Sequence, residues 1–214
     1  LRGNIPVNPN CAQLLNDTGF FKYVKTNGVV QPVKNDFLSI ESGLDVDVVV
    51  AKRVVDFVKA HIGIELDKPL PGGIYRALIE CMANTNNHAY QHIETQSQSK
   101  HKWHLVAHHD GNTRKTRFTF VDNGAGVPTT MKKRWGEEVK KLITSKTGGS
   151  LISPDAELLK SALSGKFSRT STGLENRGKG LPSIYRNWES KKITNLVIVS
   201  NSGSYFCDGD RRVK

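Results

Sequence analysis

A chain of 214 residues, 37% of them hydrophobic, holds one sizeable domain with a real core, or such a domain plus an appended piece, and global disorder is excluded. Lysine and arginine outnumber aspartate and glutamate by 31 to 20, and the net charge of +11 suits a polyanionic partner: nucleic acid, an acidic protein or a phosphate-bearing ligand. No run approaches a membrane span, no signal peptide heads the chain, and the scattered Cys11, Cys81 and Cys207 form no disulfide framework, so a reducing cytoplasm is the expected setting.

In residues 1–40, Asn4-Ile5-Pro6, Ala12 to Leu15 and Gly19 to Val24 suggest a turn, a short helix and an apolar segment, a lead-in too small to fold alone. The start at Leu1, in mid-motif, predicts a piece of a longer protein. From Asp45 to about His61, Val48, Val49, Ala51, Val54, Val55, Phe57 and Val58 recur at a helical period, with Gly63 as the stop.

Pro69 to Gly73 punctuates the chain, and a second helix is expected from Ile74 to about Glu94. Ile74, Ala77, Leu78, Cys81, Met82 and Ala89 share one side, while Glu80, Asn84, Asn87, His88 and Gln91 share another. A solvated face is usually rich in lysine and glutamate. This one holds a carboxylate, amides and an imidazole, groups that handle ligands.

Trp103 to Ala107 and Thr116 to Val121 read as strands joined by a hairpin turn at Asp110-Gly111-Asn112. The second strand, read as buried, runs into Asp122-Asn123-Gly124-Ala125-Gly126. An acid followed by two spaced glycines marks a place where backbone approaches something closely, or an ordinary Asn-Gly turn. Residues 127–177 lack a steady pattern and hold a basic helix (about 132–143), a second helix (about 155–163) and Ser168 to Gly173. A long polar excursion of this kind reads as a lid. Asn176-Arg177-Gly178-Lys179-Gly180-Leu181-Pro182 then opens a helix through Ile184, Tyr185 and Trp188. Leu196 to Val199 reads as a short buried strand, and Ser204 to Cys207 as another of the same sheet. Six of the seven histidines lie between His88 and His109, but a zinc site at His88 and His92 needs further converging ligands, and the cysteines do not supply them.

In this order, a helix with Glu80 and Asn84, a strand ending in Asp122 with Gly124 and Gly126, a lid stretch, and Gly178 and Gly180 opening a helix, the chain resembles the GHKL superfamily of ATP-binding domains. That family is named for gyrase, the heat-shock chaperone, histidine kinases and the mismatch-repair protein. Glu80-Cys81-Met82-Ala83-Asn84 with His88-Ala89-Tyr90 is most similar to the helix of bacterial anti-sigma serine kinases. The lead-in, Gly3 to Phe20, resembles the end of a STAS-type domain.

The resemblance implies an α/β (α+β) two-layer sandwich of the Bergerat type over residues 45–210. Its sheet would be mixed and mostly antiparallel, with helices on one face and a lid at about 127–177. It further implies ATP and Mg2+ as ligands. Asp122 would accept from the adenine amino group, and Gly124 and Gly126 would let backbone pass the purine and ribose. Asn84 would hold the magnesium, and Glu80 would orient or deprotonate a water or an acceptor hydroxyl. Gly178, Lys179, Gly180 and Leu181 would receive the phosphates, with Arg177 and Thr170 to Thr172 as further candidates. Asn87 stands where many relatives carry an acid or a lysine, so a supporting role is expected. No segment resembles a histidine kinase's phosphoacceptor helix.

Two functions follow. One is an enzyme, an ATPase or a protein serine/threonine kinase of anti-sigma type. The other is an ATP-gated interaction module acting on a protein partner, its own second protomer or nucleic acid.

Overall fold

The computed structural model describes residues 5–26, 30–32, 34–62, 70–86, 102–146, 153–167, 180–208 and 211–213. Helix α1 (Pro9–Asp17) begins where the Asn8 side chain accepts from the N–H groups of Asn10 and Cys11, with proline at the first helical position. Helix α2 (Phe20–Thr26) follows, and β1 (Glu41–Gly43) comes next. Asp47 caps α3 (Val48–Ile62) by accepting from Val49 and Val50. At about 100° per residue, Val48 and Val49 fall outside the arc centred on Val54 and Val58, and they are exposed rather than buried.

Helix α4 (Leu70–Asn84) starts four residues before the expected Ile74. Pro71 is tolerated in a first turn, where its missing N–H costs no bond. Strands β2 (Trp103–Asp110) and β3 (Lys115–Asp122) form a hairpin. The Asp110 carboxylate closes its turn by accepting from Asn112 N–H, Thr113 N–H and the Thr113 hydroxyl. Next come α5 (Val127–Arg134), α6 (Gly136–Lys146), α7 (Pro154–Leu163) and α8 (Gly180–Glu189). The chain closes with β4 (Asn195–Ser200), β5 (Gly203–Asp208) and β6 (Arg211–Val213).

The mixture of helices and strands agrees with an α+β fold. The expected single mixed sheet does not appear among the described residues. There are two three-stranded antiparallel sheets, ordered β1-β2-β3 and β4-β5-β6. Short connections account for the antiparallel sense of β2–β3, β4–β5 and β5–β6, while β1 reaches β2 only after α3 and α4. The sheets meet where β3 and β4 end: Val127 N–H donates to Ser200 Oγ, and the Asn201 amide donates to the Ala125 carbonyl.

Each sheet has its own helical cover. Val50, Ala51 and Val54 of α3 and Leu78 and Met82 of α4 bury Trp103 and Leu105 of β2. Leu159 and Leu163 of α7 and Tyr185 and Trp188 of α8 bury Tyr205 and Cys207 of β5. Neither β3 nor β4 is a buried strand as expected. Both alternate, and β4 leaves Val197 and Val199 exposed.

One boundary expectation needs correction. The stretch read as a lid is, over 127–146 and 153–167, built into the body: Met131, Val139, Leu142 and Leu158 form a buried cluster, and α7 joins the cover of β5. The rest of the expected lid lies outside the described residues. The lead-in, expected as the tail of an upstream domain or a packing extension of the main one, is joined to β2 as an extension of the body. Phe37 bridges His108, Leu38 N–H donates to the Ala107 carbonyl, and β1 continues along β2. Tyr23 of α2 lies against His104, on the β2 face opposite Trp103, so helices occupy both faces of this sheet.

The lead-in contact depends on pH. Burial holds the imidazoles of His104 and His108 below the ordinary 6.5. The unfolded chain therefore binds protons first on acidification, and the contact is full above about 6.5 and weakens as pH falls below it. Hydrogen exchange of α2 and β1 at pH 7.5 and 5.5 is expected to show faster exchange at the lower pH, after correction for the intrinsic rate, while α3 changes little.

Candidate functional site

The C-terminal end of α4 is held by the segment 45–47, which Trp103 anchors in turn. Trp103 Nε1–H donates to the Asp45 carbonyl at 2.8 Å, Asn86 donates to Asp45 Oδ1, and Asp47 N–H points to Met82 Sδ. This fixes the polar face of α4 between the end of β3 and the start of α8. Glu80 and Asn84, one turn apart, both reach Gly180, the buried first residue of α8. The place a Cβ would take at Gly180 lies 2.9 Å from Glu80 Oε2 and 3.2 Å from Asn84 Nδ2. A carboxylate and an amide thus converge on the end of a helix whose first N–H groups have no intrahelical partner.

On the other side of α4, Asp122 is paired with Trp103 across the hairpin and so faces the helices. Its Oδ1 accepts Gly124 N–H at 2.8 Å, and its Oδ2 accepts the Thr85 hydroxyl at 3.2 Å. The carboxylate is nonetheless exposed, with lone pairs left for a ligand. Between the two carboxylates lies Cys81. Burial first, then the negative charges of Asp122 and Glu80, push its thiol up to about 12, so it stays protonated and is no nucleophile.

The structure therefore brings together Glu80, Asn84, Asp122 and Gly180 from three elements distant in sequence. It treats two other candidates differently. Gly126 has φ of 84°, and a Cβ there would overlap Asn201 Oδ1 and lie 2.9 Å from Ser200 Oγ. Its missing side chain makes room for the β4–β5 turn rather than for a purine. The Leu181 side chain packs against Leu159, Tyr185 and their neighbours, which leaves its backbone N–H as the group it can offer a ligand. Asn87, His88, His92, Arg177, Gly178, Lys179 and Thr170 to Thr172 lie outside the described residues. Among the described residues no three His, Cys, Asp or Glu side chains gather as a metal cluster.

Thr85 is the residue that sequence reasoning missed. It is fully buried, yet its hydroxyl also reaches the Cys81 carbonyl one turn back, at 3.1 Å. A threonine in a helix commonly makes that local bond, so nothing in the sequence singles it out.

The two glycines predict opposite outcomes. Gly126→Ala combines a left-handed φ with a collision against Asn201, and is expected to cost about 2 kcal/mol or more, lowering Tm by ~4–8 °C. Gly180→Ala meets only the tips of Glu80 and Asn84, which swing aside, and its Tm is expected to stay within about 2 °C. Thermal unfolding followed by circular dichroism reads both.

No protein-family model, curated protein or solved structure matches this chain.

Proposed function

We propose that this chain is a Mg-ATP-binding domain of the GHKL type that hydrolyses ATP or transfers its phosphoryl group to a protein serine or threonine in a bacterial regulatory system. The observation that carries this reading is the convergence of Glu80 and Asn84 on Gly180, with Asp122 joined to the same end of α4 through Thr85. The STAS-like lead-in adds the likeness to a cytoplasmic anti-sigma regulator with a protein partner.

Each residue then has a role set by its chemistry. Asp122 accepts from the adenine amino group, where guanine offers an acceptor instead. Gly124 keeps Asp122 turned toward the site through its N–H. The start of α8 offers Gly180, Leu181 and Ser183 N–H groups to phosphate oxygens, Pro182 having none. Asn84 supplies a neutral hard oxygen that fits Mg2+ if phosphate and water complete the shell. The ion, when bound, neutralises phosphate charge. Glu80 orients or deprotonates the attacking water or hydroxyl.

The rival reading, an ATP-gated interaction module, leaned on a long lid. Helices α5 to α7 are packed into the body, which leaves the gate less chain to move and favours the enzyme.

Calorimetric titration with ATP, with and without magnesium, tests the proposal. Wild type is expected to bind in a magnesium-dependent way, and Asp122→Asn to lose about tenfold or more in affinity. A wild type that takes up no adenine nucleotide contradicts it. Glu80→Ala is expected to abolish turnover, read as phosphate release or phosphopeptide formation, while ATP still binds. Undiminished turnover in that variant removes Glu80 from the chemistry.

A further inference from the structure

We infer that Thr85 is a positioning residue for base recognition: its hydroxyl fixes the plane of the Asp122 carboxylate so that one direction is left open for a purine amino donor. The inference rests on the nucleotide reading above and adds to it a residue and a selectivity.

The plane of a carboxylate depends on how its oxygens are held. The terminal torsion of an aspartate is broad and soft, so an Asp anchored at one oxygen still rotates about its last bond. Here both oxygens are anchored, from different elements. Gly124 N–H holds Oδ1 from the chain just beyond the strand, and Thr85 Oγ1 holds Oδ2 from α4. Two of the roughly four lone-pair positions are used. The remaining ones point from an exposed carboxylate in directions that the two bonds determine.

Thr85 has one hydroxyl proton and two acceptors in reach, the Cys81 carbonyl at 3.1 Å and Asp122 Oδ2 at 3.2 Å. The charged acceptor is the stronger, which directs the proton to Asp122. Thr85 is itself fully buried, so water does not compete for the bond. It also follows Asn84 directly, so the element that fixes the base-reading carboxylate is the one that carries Asn84 and Glu80.

A fixed acceptor discriminates where a rotating one does not. With the carboxylate held, a purine carrying an amino group at the reading edge donates to it, and one carrying a carbonyl there meets oxygen against oxygen. With the hold removed, the carboxylate turns away from the carbonyl, and the penalty falls.

The test is the ratio of ATP to GTP affinity, measured by calorimetry on the full chain in magnesium, for wild type, Thr85→Val and Thr85→Ser. Valine keeps the shape and removes the hydroxyl, and serine keeps the hydroxyl. Thr85→Val is expected to bind ATP about tenfold more weakly and to lose about tenfold of the preference over GTP, while Thr85→Ser stays within about threefold of wild type on both. A wild type that prefers ATP, with a Thr85→Val protein that keeps the same preference, overturns this inference and leaves the nucleotide reading intact. Loss of preference in Thr85→Ser as well as Thr85→Val also overturns it, since the hydroxyl is then not the operative group. If Thr85→Val does not fold, Thr85→Ser against Thr85→Ala decides by the same ratio. A wild type that binds neither nucleotide overturns the reading beneath and this inference with it.

Discussion

The contact of α4 with α8 is the centre of this molecule. Helices α4 and α8 lie against each other with Gly73 of α4 beside Asn187 near one end and Gly180 of α8 beside Glu80 and Asn84 near the other. The pairing is antiparallel, and each glycine leaves room for the polar side-chain tips that lie against it. Asn187 adds a bond to the Gly73 carbonyl at 3.2 Å. Each helix belongs to the cover of a different sheet, so this contact joins the two halves of the fold and sets the polar face of α4 against the start of α8.

The surrounding packing serves that arrangement. Trp103 is fully buried under α3 and α4, and through its indole N–H it also ties down residue 45 at the end of α4. On the other side, Tyr185 and Trp188 hold α8 on β5. Where β3 and β4 end, Gly126 and Asn201 fit into one another, which keeps Asp122 level with the end of α4. Lys132, Asp155 and Ser202 make a further link: the Asp155 carboxylate accepts from Lys132 at 2.6 Å and from the Ser202 hydroxyl at 2.7 Å, joining α5 and α7 to the β4–β5 turn.

Much of this was legible in the sequence because it depends on local period. The valines of α3, the alternation of β2 and the amphipathic α8 declare themselves. Glu80 and Asn84 stood out because a carboxylate and an amide sat on a face where solvated lysines and glutamates were expected, Asp122 because an acid followed by spaced glycines ended a strand, and Gly180 because glycines opened a helix. What was not legible depends on partners far along the chain. Gly73 reads as punctuation ahead of a helix until Asn187 is found against it. Gly126 reads as a ligand glycine until Asn201 is found there. Met131, Val139, Leu142 and Leu158 are too irregularly spaced to announce a core, so a packed three-helix element reads as a lid. Thr85 looks like a helix threonine bonded to its own backbone, and only the pairing of Asp122 with Trp103 brings the carboxylate to it.

In the function proposed for this chain, the end of α4, the end of β3 and the start of α8 form one site. Hydrogen exchange with and without Mg-ATP tests it most directly. Residues 80–86, 122–126 and 180–184 are expected to gain protection together, at one ATP concentration, with the far ends of α3 and β5 unchanged. Protection that arises elsewhere, or in these three segments at different concentrations, contradicts a single shared site.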